Sequence, residues 1–372
     1  MKFPTLPLVV CAMLACRAFC AEQPAAVYQT RTDLPYYTDE ALAKGDDYQR
    51  GQCRLDVYYP SNRTGFPTVI WFHGGGLTGG RRNMPAGLKN QGIAIVSASY
   101  RLSPRGKLPC FFEDAAAAAA WTFKNIAALG GDPGKIFISG HSAGGYLAAM
   151  IGMDARWLKP HGLSNRRFAG IAPVSAQMTT HFEVKKQLGD TGAQYRPLID
   201  EYAPLYHAAK NLPPVCLITG DRRIEFKSRV EENALLAVSL QNLGHGQVEF
   251  YEMGGLDHAG VSEGGALLVR KFIKRLSAPA KPAASSRLAP APASETARSP
   301  WRSLRKLRGL IGTGLAQPKM NEALVRLLVM AVRINTKSPS GSMCGSGLMV
   351  MRPLWRAVGS PAFSATQPCA TS

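Results

Sequence analysis

The chain has 372 residues, which is enough for one large domain with extensions at its ends. Its formal net charge of +19 suggests nucleic-acid binding, but this charge is unevenly distributed. Residues 277–372 hold 13 Lys and Arg against two acidic residues, whereas the first 276 residues hold 31 against 23. Because more than half of the excess charge lies in the last quarter of the chain, we expect no specific nucleic-acid binding by the main domain.

The first 21 residues are predicted to be a secretory signal peptide. Lys2 precedes an apolar stretch from Leu6 to Cys16, which is too short to anchor the chain in a bilayer, and small residues follow up to Ala21. A lipoprotein signal ending at Cys16 and a buried N-terminal helix are the alternatives. The signal peptide predicts export to the periplasm or the extracellular space.

Export would leave five cysteines, an odd number, so at least one thiol would be unpaired. Cys53 and Cys110 form a candidate disulfide that the sequence alone does not establish. Cys216 lies in an apolar run and is expected to be a core thiol.

Short apolar runs alternate with helical stretches between residues 22 and 276. Continuous apolar runs are typical of strands covered on both faces, and the alternation predicts a mostly parallel sheet with helices on both sides. Residues 27–47 are interpreted as an arm laid over this domain. The predicted strands are 55–60 (an edge strand), 68–72, 93–98, 136–139, 168–175, 213–220 and 247–251, and the predicted helices are 110–128, 143–150, 228–243 and 261–276.

Three further regions differ in composition from the domain. Residues 176–210 have no clean periodicity and are predicted to form a small cap over the carboxyl edge of the sheet, and residues 277–300 are an Ala, Pro and Ser-rich linker. Residues 301–372 are a basic tail, expected to be poorly ordered. Its one predicted helix, 319–334, suggests a weak contact with a membrane surface or a partner. Nucleic-acid binding through this tail is a rival hypothesis.

The sequence from Gly140 to Gly144 has the form G-x-S-x-G, between a predicted strand and a predicted helix. This context is that of a nucleophile elbow, a tight turn that exposes a serine hydroxyl at the sheet edge. Ser142 is therefore the candidate nucleophile. The N–H group of Ala143, the next residue, would point toward the atom that Ser142 attacks.

A second glycine-rich loop, His73 to Gly76, follows the predicted strand 68–72 directly. Consecutive glycines leave backbone N–H groups open to close approach, as the stabilisation of an oxyanion requires. No G-K-[ST] follows, so the pattern does not fit a phosphate-binding loop. A serine hydroxyl also needs a base, and His258, in a glycine-rich loop after the last predicted strand, is the best candidate.

These three motifs together give the chain a family resemblance. It resembles α/β-hydrolase-fold carboxylesterases, in particular the hormone-sensitive-lipase-like and bacterial acetyl- or feruloyl-esterase-like groups, over about residues 55–276. The resemblance implies an α/β-hydrolase fold with a mostly parallel central sheet, helices on both faces and a small cap. It implies that Ser142 is the nucleophile, that His258 is the base and that Gly75, Gly76 and Ala143 supply oxyanion N–H groups. No metal or organic cofactor is implied.

The third member of the triad departs from the family pattern, because the position expected to carry the acid is Arg223. Two nearby carboxylates are candidates. We favour Glu225, because its longer side chain compensates for its more distant position in the sequence, over Asp221, whose side chain is short and adjacent to arginines. A site without any acid is the third alternative.

The motifs predict a serine hydrolase that cleaves carboxylic esters, with short acyl or aromatic-acid esters on carbohydrates as the expected substrates. Its expected partner is therefore a small-molecule or carbohydrate ester. A peptidase or amidase on the same fold, and a catalytically weak binding protein, are the alternatives. The binding-protein alternative arises because an arginine, Arg223, occupies the position expected to carry the acid.

Overall fold

The computed structural model describes residues 25–279. The predicted signal peptide (1–21), nearly all of the predicted linker (277–300) and the whole basic tail (301–372), including its predicted helix 319–334, lie outside the described residues. The expectations attached to them, including export and contact with a membrane surface, stay predictions.

Eight strands form one sheet in the order β1-β2-β4-β3-β5-β6-β7-β8. The pairs β1–β2 and β2–β4 are antiparallel, and all the other pairs are parallel. The strands are β1 (Tyr28–Pro35), β2 (Arg54–Pro60), β3 (Phe66–Phe72), β4 (Ala94–Ala98), β5 (Gly131–His141), β6 (Gly170–Val174), β7 (Val215–Thr219) and β8 (Val248–Glu252).

The helices cover both faces of this sheet, as the sequence predicts. Successive side chains of β3 enter different cores: Ile70 packs in a cluster with α3 and α4, and Trp71 packs in a cluster with α7. None of the described helices is long and apolar enough to cross a membrane. The helices are α1 (Asp39–Lys44), α2 (Asp47–Gln52), α3 (Cys110–Asn125), α4 (Ala143–Met153), α5 (Phe182–Gln187), α6 (Arg229–Asn242) and α7 (Gly260–Ser277).

Two interpretations from the sequence are wrong. Residues 27–47 are not only an arm, because β1 pairs with β2, so β1 rather than β2 is the edge strand. No residue of β1 is buried, and the strand therefore lacks the hydrophobic alternation that reveals a strand. The candidate disulfide is absent, since Cys53 and Cys110 are both free and buried thiols.

Five of the loops that follow the parallel strands carry the candidate site residues to one edge of the sheet. Loops that follow the carboxyl ends of parallel strands meet at the same edge, where ligands bind in open α/β sheets. The loop after β3 begins at His73, Ser142 follows β5, Ser175 follows β6, Glu225 lies after β7 and His258 after β8.

Candidate active site

Ser142 stands alone between β5, which ends at His141, and α4, which begins at Ala143. Its backbone has φ +56° and ψ −120°, a region that non-glycine residues rarely adopt, and its N–H donates to the carbonyl of Val174 at 2.9 Å. The turn needs glycine on its helical side, because a Cβ on Gly144 would lie 2.1 Å from the carbonyl oxygen of Phe72. The predicted strand, turn and helix are confirmed.

Ser142, His258 and Glu225 form a continuous hydrogen-bonded row. The Ser142 Oγ lies 2.9 Å from Nε2 of His258, and Nδ1 of His258 lies 2.6 Å from Oε1 of Glu225. These contacts require Nδ1 to carry a proton that it donates to the carboxylate. Nε2 of the neutral imidazole is then free to accept the serine proton.

The carboxylate of Glu225 is held in its ionised form. Burial would raise the pKa of Glu225, but hydrogen bonds from His258 and from the N–H of Phe226 outweigh burial and lower this pKa to about 2. Its Oε2 also accepts hydrogen bonds from the Ser175 hydroxyl at 2.9 Å and from the N–H of Gly220 at 3.0 Å. An ionised, fully enclosed carboxylate can fix the orientation of an imidazole.

Asp221, the other candidate acid, does not reach His258. Its carboxylate accepts a hydrogen bond from the Arg223 side chain and one from the N–H of Gly255 at 2.8 Å. The bond from Arg223 holds the pKa of Asp221 well below its usual range. The reason is a single helical turn, in which the N–H of Glu225 donates to the carbonyl of Asp221 at 2.8 Å. This turn brings Glu225 back to the sheet edge and directs Asp221 into the loop that precedes His258.

Gly75 and Gly76 line the same cavity as Ser142 and His258, with a volume of about 360 Å³. Gly75 has φ +112° and a Cβ there would lie 2.2 Å from the carbonyl oxygen of Gly79, so the loop requires glycine. Within residues 25–279, no acceptor engages the N–H groups of Gly75, Gly76 or Ala143. A larger groove of about 700 Å³ elsewhere on the domain contains none of the predicted site residues.

Two further histidines support the site without joining the row. His141 Nε2 donates to the carbonyl of His258 at 2.7 Å, and burial, followed by the nearby His258, lowers the pKa of His141 to about 4. His73 stacks on Tyr100 with ring centroids 4.5 Å apart, and burial lowers the pKa of His73 to about 4 as well. Both are therefore neutral near pH 7, and His141 holds the backbone of the loop that carries His258.

A family model described as BD-FAE matches residues 55–162. Carboxylesterase NlhH of Mycobacterium tuberculosis is 37% identical over 106 residues, which are 27% of this chain and 33% of NlhH. Esterase LipI of the same species is 36% identical over 118 residues, which are 30% of this chain and 37% of LipI. The chain thus spans about a third of the length of these curated relatives.

Solved structures extend the likeness across the described domain. A truncated carbohydrate esterase from gut microbiota superposes with a TM-score of 0.55 at 17% identity, covering 68% of this chain and 98% of that one. Esterase B of Lactobacillus rhamnosis superposes with a TM-score of 0.53 at 24% identity, covering 72% and 94%. The chain has the α/β-hydrolase fold. The resemblance to esterases of this fold is confirmed, whereas the roles of individual site residues stay predictions.

The α/β-hydrolase fold also positions two polar residues that the sequence analysis missed. Ser175 follows β6 and has φ +47°, and its hydroxyl lies 2.9 Å from Nδ1 of His258 as well as from Glu225. Arg229 opens α6 and lines the cavity. Ser175 could have been found from the sequence, because it is a polar residue directly after a buried strand. No sequence motif surrounds Arg229.

We expect Ser175→Ala to lower kcat for ester hydrolysis by about tenfold while leaving KM unchanged, because the hydroxyl orients the Glu225–His258 pair rather than the substrate. The matched variant Ser175→Gly also removes the hydroxyl but relieves a positive φ that costs on the order of 1 kcal/mol. Steady-state kinetics and thermal unfolding of both variants check this. Equal loss of activity, with the glycine variant the more stable, is expected; full activity in either variant would contradict a positioning role.

Proposed function

We propose that this protein is a serine carboxylesterase. The observation that carries the proposal is the row from Glu225 through His258 to the Ser142 hydroxyl, with its reactive end in a cavity lined by the Gly75–Gly76 loop. The relatives named as a carboxylesterase and an esterase support the same chemistry.

The first step of the proposed reaction is attack of the Ser142 Oγ on the ester carbonyl carbon. His258 Nε2 accepts the hydroxyl proton as the new bond forms, and the Glu225 carboxylate stabilises the imidazolium that results. Because Glu225 has a pKa of about 2, it remains ionised throughout the neutral range and does not itself take the proton.

The second element is stabilisation of the negative charge that develops on the carbonyl oxygen. The N–H groups of Gly75, Gly76 and Ala143 have no acceptor within the described residues, and they are the donors proposed for this oxyanion. His258 then protonates the departing alcohol and the acyl-enzyme forms on Ser142. Water, activated by the same imidazole, releases the acid and restores the hydroxyl.

For the substrate, we propose esters of short acyl or aromatic acids, carried by a carbohydrate or another small alcohol. The cavity is small, at about 360 Å³, which suits a compact acyl group. Its rim is aromatic: Phe182 and Tyr195 come from the predicted cap region, and Phe226 packs edge-on against His258 with centroids 4.3 Å apart. Tyr195 and Phe226 are 37% and 46% exposed, so their faces are open to a sugar or aromatic ring.

A panel of substrates tests this proposal. We expect p-nitrophenyl acetate, methyl ferulate and acetylated xylan to be hydrolysed, and p-nitrophenyl esters to lose kcat/KM as the acyl chain outgrows the cavity. The amide p-nitroacetanilide is the matched control for the amidase alternative, and we expect turnover at least 100-fold below that of the ester. Cleavage of the anilide without cleavage of the esters, or no turnover of any ester by the folded protein, would contradict the proposal.

A further inference from the structure

Arg229 is a buried cation in the wall of the candidate active-site cavity. The residue is 5% exposed, and it lines the cavity together with Ser142 and His258. Its Nε is fully buried without a hydrogen-bond partner. Within residues 25–279, no ion pair, hydrogen bond or stacked ring engages this guanidinium.

The two carboxylates that act electrostatically on Arg229, Glu232 and Glu225, both accept hydrogen bonds from other groups. Glu232 accepts hydrogen bonds through Oε2 from the N–H groups of Met178 and Thr179, at 2.7 and 3.1 Å. Glu225 is paired with His258. Burial lowers the pKa of Arg229, which is the mark of a desolvated cation, although a guanidinium stays protonated in proteins. A buried charge without a partner is unfavourable unless a ligand supplies one.

We propose that Arg229 binds a carboxylate carried by the ester substrate, so that the preferred substrates are esters with a free carboxylate group. This inference rests on the proposed esterase function, because it assigns the substrate class of the same cavity. The planar guanidinium matches a carboxylate in a two-point, charge-assisted hydrogen bond.

The charges around the cavity favour a monoanion over a phosphate dianion. Arg229 is the sole Lys or Arg among the described residues that line the cavity, and Glu225 and Glu232 act on it electrostatically. His141, which also lines the cavity, is neutral near pH 7, since its pKa is about 4. A monoanion is repelled less by Glu225 and Glu232 than a dianion is, and one guanidinium is the only positive side chain of this lining that attracts either.

The carboxylate could belong to either half of the ester, and two matched substrate pairs distinguish these sources. Monomethyl adipate carries it on the acyl half, and methyl adipamate is its neutral amide counterpart. The acetyl ester 4-acetoxybenzoate carries it on the alcohol half, and 4-acetoxybenzamide is the neutral counterpart. Within each pair the ester bond and the size of the substrate are nearly constant.

We expect wild-type kcat/KM to favour the charged member of one pair by on the order of 100-fold. Arg229→Met should abolish this preference by slowing the charged members far more than the neutral members, and Arg229→Lys should retain part of it. Lys227→Gln is the matched control, because it removes an exposed positive charge two residues away that does not line the cavity, and it should keep the preference. Equal slowing of charged and neutral esters in Arg229→Met would mean that Arg229 acts through Glu225 and would overturn the proposal.

A binding measurement separates this inference from the esterase proposal. In Ser142→Ala, which should retain the cavity with turnover slowed by about 10⁴-fold or more, calorimetric titration with the two ester pairs should give a lower Kd for the charged member of one pair. Addition of Arg229→Met to this variant should equalise the two values. If the charged member binds no better in either pair, the carboxylate site is disproved even where p-nitrophenyl acetate is hydrolysed. If it binds better but no ester is turned over, the esterase proposal alone fails.

Discussion

Ser142→Ala is expected to lower kcat for p-nitrophenyl acetate by about 10⁴-fold or more, the largest effect among these variants. The Ser142 Oγ is the hydroxyl that lies 2.9 Å from Nε2 of His258, and its removal leaves the imidazole with no nucleophile to activate. The cavity and its N–H donors would remain, so a residual rate above that of the solution reaction is expected. Steady-state kinetics on protein freed of wild-type contamination measures the loss.

The matched control for this variant is Ser139→Ala, three residues earlier, on β5. Ser139 is fully buried and its hydroxyl donates to the carbonyl of Ala172 at 2.6 Å, so its loss should cost about 1 kcal/mol of stability and little activity. If Ser142→Ala retained more than a tenth of wild-type activity while folded, another group would have to be the nucleophile.

Glu225→Gln is expected to lower kcat/KM by about 10³- to 10⁴-fold, whereas Asp221→Asn should stay within a few-fold of wild type. A glutamine would present an amide N–H or a neutral oxygen to Nδ1 of His258, so it would neither fix the tautomer nor stabilise the imidazolium. Asp221→Asn would instead weaken the hydrogen bonds to Arg223 and Gly255 and should lower Tm. Kinetics and thermal unfolding of the two variants side by side check both statements.

The pH dependence of stability gives an independent measure of the same carboxylate. The folded-state pKa of Glu225 is about 2, below its ordinary value of 4.5, so its ionisation stabilises the folded state fully above about pH 4.5. That contribution is lost as the pH falls toward 2. The stability difference between wild type and Glu225→Gln should therefore shrink across this window. Similar losses of activity in Glu225→Gln and Asp221→Asn, or no such shrinkage, would contradict the assignment of Glu225 as the acid.

The sequence predicted those parts of the site that are set by local motifs. The elbow around Ser142 is recognised by its closely spaced glycines, although Gly144 is required because it packs against the backbone of Phe72, and the loop at Gly75 is fixed by its own short turn. His258 was identified by its place after the last strand. Seven of the strands were likewise predicted: β2 to β7 contain buried residues, and β8 is half-buried.

The remaining features of the site depend on side-chain positions in the folded structure, which a local sequence motif does not reveal. Which of Asp221 and Glu225 lies beside His258 depends on one helical turn. Arg229 shares a cavity with Ser142 only because β7 lies two strands from β5. Its sequence neighbourhood is that of an ordinary amphipathic helix start, and its lack of an ion-pair partner among the described residues is a property of the folded chain. Strand β1 is exposed at five of its eight residues and so left no hydrophobic signal.

The most direct test of the central claim is covalent labelling of the folded, full-length protein with a fluorophosphonate, followed by mass-spectrometric mapping of the adduct. A hydrogen-bonded Ser142–His258 pair beside free N–H donors should give one adduct per chain, on Ser142, with labelling abolished in Ser142→Ala and strongly slowed in His258→Ala. An adduct on another residue, or a folded protein that does not react at all, would contradict the account.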